Sequence, residues 1–230
     1  MKHTFIMIEK KSNLFIKNSQ LIITYLEDDI TVPMEDVTII LLDHRDIIIT
    51  KDVFLYAIKN NVSILFTDEK HIPQSTLIPF HGNTLQTKVF PYQSKMTATF
   101  KDRIWKMIVK AKITNQNAVL IKQGFLSNKF KRFIKDVSLG DKTNIEAQAA
   151  RMYFSLVFYE DFRRKQDGSD VVNIYLNYTY AIVRGMIARS ICATGLHPSF
   201  GIWHSNQYDP MPLASDLMEP IRPFVDSYVK

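Results

Sequence analysis

The stretch Gly82–Gln93, GNTLQTKVFPYQ, separates two parts of the chain whose apolar residues follow different periods. Before it, short runs rich in Ile, Val, Thr and aromatic residues are typical of β-strands. After it, apolar residues recur every three or four positions, as in amphipathic helices. The sequence therefore predicts an α+β fold, with a small β-rich domain (1–82), a linker (83–98) and an α-helical domain (99–230).

Five runs before the linker predict the strands of the β-rich domain: TFIMIE, QLIITYL, VTIILLD, DIIIT and VSILFTD. Polar turns such as LEDD and DHRD separate them. Between the last two runs, KDVFLYAIKNN has its apolar residues on one helical face, namely Val53, Phe54, Ala57 and Ile58. We therefore expect a sheet domain with one embedded helix.

Three helical stripes follow the linker. They consist of Phe100, Ile104, Ile108 and Ala111; of Ile145, Ala149, Met152 and Leu156; and of Val172, Leu176, Thr179, Val183 and Met186. Lys101, Lys106, Lys110 and Lys112 surround the first stripe. The third helix is apolar over most of its circumference, which predicts burial within a bundle. The final EPIRPFVDSYVK starts another helical pattern without a capping glycine, so we expect a truncated helical domain.

Composition excludes several classes of protein. Cys192 is the only cysteine, which excludes an intramolecular disulfide and a cysteine-based metal cage. The seven glycines form no phosphate-binding loop, and no Gly-x-Ser-x-Gly elbow is present. The chain shows no signal peptide and no apolar run of about 20 residues, so we expect a cytoplasmic protein without membrane contact. The net charge of +6 fits either an anionic partner or a mildly basic surface.

The stretch GIWHSNQYDPMPLASDLMEPIRP, Gly201–Pro223, combines His204 with the carboxylates of Asp216 and Glu219. Asp216 and Glu219 are three residues apart and would share one face of a helix. The same spacing fits a capping box at a helix start, with Pro220 compatible with the first turn. Both interpretations stay open, because a carboxylate on a first turn can also bind metal.

Glu146 is a further candidate at the margin of the second stripe. A carboxylate there would be partly desolvated, which is costly unless it is paired or bound to metal. The alternative is a glutamate in a first turn, stabilised by the helix dipole. One histidine with two or three carboxylates suits Mg²⁺ or Mn²⁺, the ions used in phosphoryl transfer. The residues thus favour a metal-dependent enzyme that acts on nucleic acid.

Basic residues interleave with aromatic ones in KQGFLSNKFKRFIK, which contains Lys129, Lys131 and Arg132. This pattern fits contact with a nucleic-acid backbone. It also fits an amphipathic helix whose phenylalanines face inward. A polar stripe runs along the third helix and consists of Asn173, Asn177, Tyr180 and Arg184. Because burying unpaired polar groups is costly, we expect this stripe to face solvent, an interface or a site.

Four motifs resemble, in order and spacing, the universal CRISPR-associated integrase family, the first of the Cas proteins. They are NIEAQAARMYF (144–154), LNYTYAIVRGMIAR (176–189), GLHPSFGIWHSNQYDP (195–210) and LASDLMEPIRPFVD (213–226). With the β-rich first part, the resemblance covers nearly the whole chain. The DLMEPIRPFVD motif and the compact β domain look most like the type II branch.

The resemblance implies a set of metal ligands. The glutamate of the family's EA-x-AAR motif corresponds to Glu146, the histidine of its G-x-x-H loop to His204, and the glutamate of DLMEP to Glu219. Asp216 matches a commonly acidic position and is expected to support the site. Arg184, Lys129, Lys131 and Arg132 are candidate DNA contacts.

The implied activity is the joining of the 3′-hydroxyl ends of captured double-stranded DNA fragments to CRISPR repeat DNA, with Mg²⁺ or Mn²⁺. The implied partners are a second copy of the chain, the small companion Cas adaptation protein and, in type II systems, the effector nuclease and a ring-shaped DNA-binding adaptation protein. Two alternatives are a metal-dependent endonuclease that cuts branched or single-stranded DNA and a non-catalytic DNA-binding scaffold.

Overall fold

A computed structural model of the protein describes residues 4–79, 82–126, 128–166 and 168–230. Contacts between Cα atoms divide the chain into two compact units. The first contains the residues up to Gln86 together with Ala188–Gly195, and the second contains Thr87–Ile187 and Leu196–Lys230.

The first unit contains two four-stranded sheets. The strands are β1 (Thr4–Ile8), β2 (Asn13–Lys17), β3 (Gln20–Tyr25), β4 (Asp28–Pro33), β5 (Val37–Leu42), β6 (Ile48–Ile49), β7 (Ser63–Thr67) and β8 (Pro73–Thr76). One sheet has the order β1-β5-β7-β8, with β1, β5 and β7 parallel and β8 antiparallel. The other has the order β4-β3-β2-β6 and is antiparallel except for the β2–β6 pair.

Local sequence accounts for one strand, one hairpin and the embedded helix of this unit. The central strand β5 reads VTIILL and buries both of its faces, as parallel strands do. Between β2 and β3, Asn18 and Ser19 adopt positive φ angles of 51° and 62°, as a tight two-residue hairpin requires. Helix α1 (Lys51–Lys59) directs Val53 and Ala57 into the core that both sheets share. The embedded helix expected from KDVFLYAIKNN is thus confirmed.

The second unit is helical. Its helices are α2 (Gln86–Ser94), α3 (Ala98–Lys122), α4 (Asn128–Asp136), α5 (Ile145–Val157), α6 (Val171–Ala193), α7 (Pro212–Met218) and α8 (Arg222–Val229). Helix α3 packs against α4, α5, α7 and α8, and Trp105, Val109 and Ile113 are among its core residues. The side chain of Thr97 accepts a hydrogen bond from Phe100 N and caps α3.

The predicted α+β class, with strands first and helices after, is confirmed. Residues 83–98, for which the sequence indicated a linker, include α2, and the last part of α6 groups with the first unit. A period along the chain does not report either feature. No helix within the described ranges combines the length and apolar character needed to cross a bilayer.

Phe130 connects α4 to the helical core, and its side chain is fully buried against Phe133. Replacing it with alanine should lower the free energy of unfolding by about 3–5 kcal/mol, because the cavity cannot close completely. Denaturant unfolding measures the change. The control is F125A, which truncates a partly exposed phenylalanine and should cost about 1 kcal/mol or less. Equal midpoints for the two variants would contradict this packing.

Candidate metal and catalytic site

Asp216 lies inside α7, and its carboxylate is completely buried. Oδ2 accepts hydrogen bonds from the backbone N–H groups of Ile202 at 2.6 Å and Trp203 at 3.1 Å. Oδ1 accepts the N–H of His204 at 3.1 Å and lies 2.6 Å from the Nδ1 atom of its ring. One carboxylate thus holds the turn at residues 202–204 and orients the imidazole, whose Nε2 remains available as a ligand atom.

This geometry overturns the capping-box interpretation of Asp216 and Glu219. Helix α7 begins at Pro212, well before Asp216, and Glu219 is its C-cap with helical angles of φ −51° and ψ −45°. The Asp216 carboxylate binds the N–H groups of a distant loop instead of a helix start. Sequence spacing could not distinguish the two cases, because both need a carboxylate at that position.

The pKa of His204 is raised above its ordinary value of 6.5. The hydrogen bond to Asp216 has the largest effect, partial burial opposes it, and the negative charges of Asp216 and Glu219 add to it.

Glu146 lies in the first turn of α5, as its position in the sequence indicated. Two side chains hold this helix end. Asp141 accepts hydrogen bonds from the N–H groups of Ile145 at 3.0 Å and Glu146 at 2.9 Å, and Asn144 accepts one from Ala147 at 3.4 Å. The Glu146 side chain is partly exposed, so the carboxylate is positioned by the helix end and stays accessible.

The ammonium group of Lys112 lies between the two glutamates. Its Nζ donates hydrogen bonds to Glu146 Oε1 and to Glu219 Oε2, the second at 2.5 Å. The other oxygen of Glu219 pairs with Arg222 at 3.2 Å. Glu146 and Glu219, from separate helices, therefore meet at one cation within the helical unit.

These contacts shift the pKa values of both partners. Burial disfavours the charged ammonium, but the carboxylates of Glu219 and Glu146 outweigh it and raise the pKa of Lys112 above its ordinary value. Burial likewise disfavours the charged form of Glu219, but Lys112 and Arg222 lower its pKa below the ordinary value. Both groups are accordingly charged at neutral pH.

Sequence reasoning placed Lys112 around the apolar stripe of α3, whereas the structure buries it on the core face. A signal was present in the spacing. Lys112 and Gln116 continue the series that runs from Trp105 through Val109 to Val119, at steps of three or four residues. A lysine on the buried face of a helix needs a carboxylate partner, so this position pointed to a site.

Two tryptophans border the site. Trp105 and Trp203 stack in parallel with ring centroids 5.2 Å apart, and the rings of Trp105 and His204 are perpendicular with centroids 5.9 Å apart. Both rings, together with Glu146, line a cavity of about 430 Å³. The two aromatic rings therefore form part of the wall of the cavity from which Glu146 is accessible.

Buried polar groups continue behind Arg222. Its guanidinium lies over the ring of Tyr180, 4.8 Å from the centroid, and the hydroxyl of Tyr180 donates to Asp226. Burial raises the pKa of Asp226 to about 6. Asn173 is also buried, and its side-chain oxygen accepts hydrogen bonds from Arg164 and from the backbone N–H of Lys165, so part of the predicted polar stripe is internal.

The structure thus brings Glu146 and Glu219 together and places His204 nearby under the control of Asp216. Among the described residues, no group of three His, Cys, Asp or Glu side chains has the geometry of a formed metal site. The Lys112 ammonium lies between the carboxylates of Glu146 and Glu219. The ligand roles of Glu146, His204 and Glu219 stay predictions.

The candidate DNA contacts differ in their surroundings. Lys129, Lys131 and Arg132 are exposed on α4, whose Phe130 faces the core, as in the amphipathic-helix interpretation. Arg132 forms an exposed ion pair with Asp136 at 3.4 Å. Arg184 is ion-paired with Asp209, a half-buried carboxylate that also binds Met211 N.

The chain is similar to known proteins over nearly its whole length. The family described as "CRISPR associated protein Cas1" matches residues 5–230, which is nearly the whole chain. The chain belongs to the Cas1 family. Its match to this family confirms the resemblance drawn from the four motifs.

Named relatives agree with membership in the Cas1 family. The chain is 32% identical over 223 residues to the CRISPR-associated endonuclease Cas1 of Neisseria meningitidis serogroup C, covering 96% of this chain and 73% of the relative. That similarity is consistent with the type II-like branch.

Solved structures show the same Cas1-type fold. A casposase bound to an integration product has a TM-score of 0.77 and 23% identity, covering 100% of this chain and 72% of its own. A chain of a Cas6-RT-Cas1–Cas2 complex has a TM-score of 0.70 and 20% identity, covering 99% of this chain and 27% of its own. At these identities the two structures show the fold alone.

The raised pKa of His204 predicts how its contribution to stability depends on pH. Because the folded-state pKa lies above the unfolded value of 6.5, this stabilisation is complete below that value and is lost as pH rises through the folded-state pKa. The H204N variant keeps a donor toward Asp216 but cannot become charged. In EDTA, the Tm difference between wild type and H204N should be largest at about pH 5.5 and should shrink toward about pH 9.

Thermal unfolding across that range tests the sign. The H44N variant, at a histidine of the first unit, controls for the general effect of pH. A difference between wild type and H204N that grows with pH, or that does not change, would contradict the His204–Asp216 contact.

Proposed function

We propose that the protein is a divalent-metal-dependent DNA integrase of CRISPR adaptation. It joins the 3′-hydroxyl of a captured double-stranded DNA fragment to the edge of a CRISPR repeat by direct transesterification. The observation that carries the proposal is the convergence of Glu146 and Glu219 on one cation position, beside an imidazole oriented by Asp216. Membership in the Cas1 family and the fold shared with a casposase bound to an integration product support it.

The residues present fit Mg²⁺ or Mn²⁺. Carboxylate oxygens with one imidazole nitrogen are suitable donors for these ions. Glu146 Oε1 and Glu219 Oε2 already converge on one positive charge, the Lys112 ammonium. Glu146, His204 and Glu219 would hold the ion. When bound, it polarises the phosphate and stabilises negative charge on the attacking and leaving oxygens.

The chain's own residues prepare this chemistry. Asp216 keeps the proton of His204 on Nδ1 and directs Nε2 away from itself. Arg222 and Lys112 keep Glu219 ionised, so that its carboxylate need not lose a proton before it can act as a ligand. Asp141 and Asn144 hold the first turn of α5, which fixes the position of Glu146. Fixed groups of this kind reduce the reorganisation needed when the DNA ends are brought in line.

The proposed partners follow from the family and from charge. The net charge of +6 and the exposed basic face of α4 favour DNA fragments and CRISPR repeat DNA as substrates. The β-rich domain would pair two copies of the chain. The fold shared with a chain of a Cas6-RT-Cas1–Cas2 complex supports a small companion Cas protein as a partner. The type II effector nuclease and a ring-shaped adaptation protein are proposed on the resemblance alone.

A second candidate is an endonuclease that cuts branched or single-stranded DNA. The relative from Neisseria meningitidis carries the name endonuclease, and the same site would serve if water replaced the 3′-hydroxyl. A non-catalytic scaffold is disfavoured, because the DLME segment is not the capping box that this alternative required.

Single replacement of Glu146, His204 or Glu219 by alanine should abolish joining while DNA binding persists. Loss of a residue that only supports a metal ligand costs 10–100-fold, so loss of a ligand should lower the rate by at least about 100-fold. The assay combines the full-length chain, the companion protein, Mn²⁺, a fragment with a free 3′-hydroxyl and a repeat-containing plasmid. Covalent joining is read on a gel. The E160A variant is the matched control, since Glu160 is exposed in the turn that follows α5.

The products distinguish the candidates. Covalent joining supports the integrase, and cleavage without joining supports the endonuclease. If all three alanine variants fold and retain wild-type activity, the metal-ligand assignment is wrong. If the wild-type protein binds DNA but yields neither joined nor cleaved product, the non-catalytic scaffold is the function that fits.

The basic face of α4 should bind DNA phosphates. The K131A/R132A double variant should weaken DNA binding about equally for all sequences, and the slope of log affinity against log salt should decrease by about 1 for each phosphate that the variant no longer binds. Fluorescence anisotropy at several salt concentrations measures this slope. The K11A variant in the first unit is the control for a general reduction in positive charge. An unchanged slope would exclude α4 from the DNA-binding surface.

A further inference from the structure

Lys112 is the least exposed lysine among those that surround the first stripe of α3, and its ammonium joins two helices. It donates to Glu146 at the start of α5 and to Glu219 at the end of α7. Arg222 binds the remaining oxygen of Glu219. The charges of these four side chains cancel: two carboxylates meet one ammonium and one guanidinium.

This balance has a consequence for metal binding. Mg²⁺ needs carboxylate oxygens at about 2.0–2.1 Å, and the ammonium already lies 2.5 Å from Glu219 Oε2. An ion on the same oxygens would therefore sit in close contact with a positive charge in a poorly solvated site. At such separations like charges repel strongly. The ion and the ammonium must compete for these oxygens.

We propose that Lys112 is the resident cation of the site: it holds Glu146 and Glu219 together in the metal-free protein, and a divalent metal must displace it to bind. The inference rests on the proposed function only in taking these glutamates as metal ligands. Lys112 is thus a positioning residue that sets the affinity of the site for metal. Its ammonium leaves the carboxylates when the metal binds. When the metal is absent, the ammonium keeps the two carboxylates from repelling each other.

A purely structural lysine would behave differently. Removing one partner of a buried ion pair destabilises a protein. If Lys112 were only such a partner, its removal should lower the Tm equally with and without Mn²⁺ and should not tighten Mn²⁺ binding. Removing a resident cation destabilises the metal-free protein, because two carboxylates then face each other, but it strengthens metal binding. The sign of the change in metal affinity therefore separates the two roles.

The test compares wild type, K112M and K112R, with K122M as a matched control at an exposed lysine on the same helix. Calorimetry measures Mn²⁺ affinity, and thermal unfolding is followed in EDTA and in excess Mn²⁺. We expect K112M to bind Mn²⁺ at least about tenfold more tightly than wild type, which corresponds to about 1.4 kcal/mol. Its Tm should fall in EDTA and recover in Mn²⁺. K112R should bind no more tightly than wild type, and K122M should match wild type.

A second measurement uses the wild type alone and does not depend on whether a variant folds. An amine-acylating reagent labels lysines, and peptide mass spectrometry reads the extent of labelling at Lys112 and at Lys122. Mn²⁺ should increase labelling of Lys112, because its amine leaves the carboxylates, and should leave Lys122 unchanged. Labelling of Lys112 that does not rise with Mn²⁺ overturns the proposal.

The outcomes also separate this inference from the proposed function. If E146Q and E219Q abolish Mn²⁺ binding while K112M binds as wild type does, Lys112 is not a competing cation and the metal-ligand roles stand. If neither wild type nor K112M binds Mn²⁺, both the inference and the metal dependence are overturned.

Discussion

The carboxylate of Asp216 is the group on which the geometry of the candidate site depends. Three backbone N–H groups of the turn at residues 202–204 and the ring of His204 converge on it. A carboxylate that is completely buried costs several kcal/mol unless such donors compensate it. Helix α7 and the turn at residues 202–204 therefore stabilise each other. The same hydrogen bonds to Asp216 fix the direction of the His204 ring.

Helix α3 connects the packing of the helical unit with the chemistry of the site. It carries Lys112 between the core residues Val109 and Ile113, so the ammonium is held by the same face that packs the helices. Removing one partner of such a buried pair typically costs about 3–5 kcal/mol, because a charge is left uncompensated. The arrangement of Glu146 and Glu219 is therefore coupled to the stability of the unit.

The sequence predicted those elements whose apolar residues form clear runs or stripes, including β5, α1 and α3. It missed β2, β4 and β8. Strand β4 reads DDITVP and is mostly exposed, so its structure depends on pairing with β3 rather than on an apolar pattern of its own. The site was predicted by residue type and motif, but the capping-box alternative stayed open until the start of α7 at Pro212 was known. Lys112 was grouped with the lysines that surround the first stripe of α3, and only the structure showed that it is buried.

By itself, the sequence determined the order and type of the main elements and the exclusion of an intramolecular disulfide and a cysteine-based metal cage, and it proposed Glu146, His204 and Glu219 as a donor set. These properties depend on residue identity and on periods along the chain, both of which can be read locally. Only the tertiary structure decided which charge meets which: Asp216 with His204, and Lys112 with both glutamates. Those partners are far apart in the chain, and they meet because buried charges must be compensated when the helices pack.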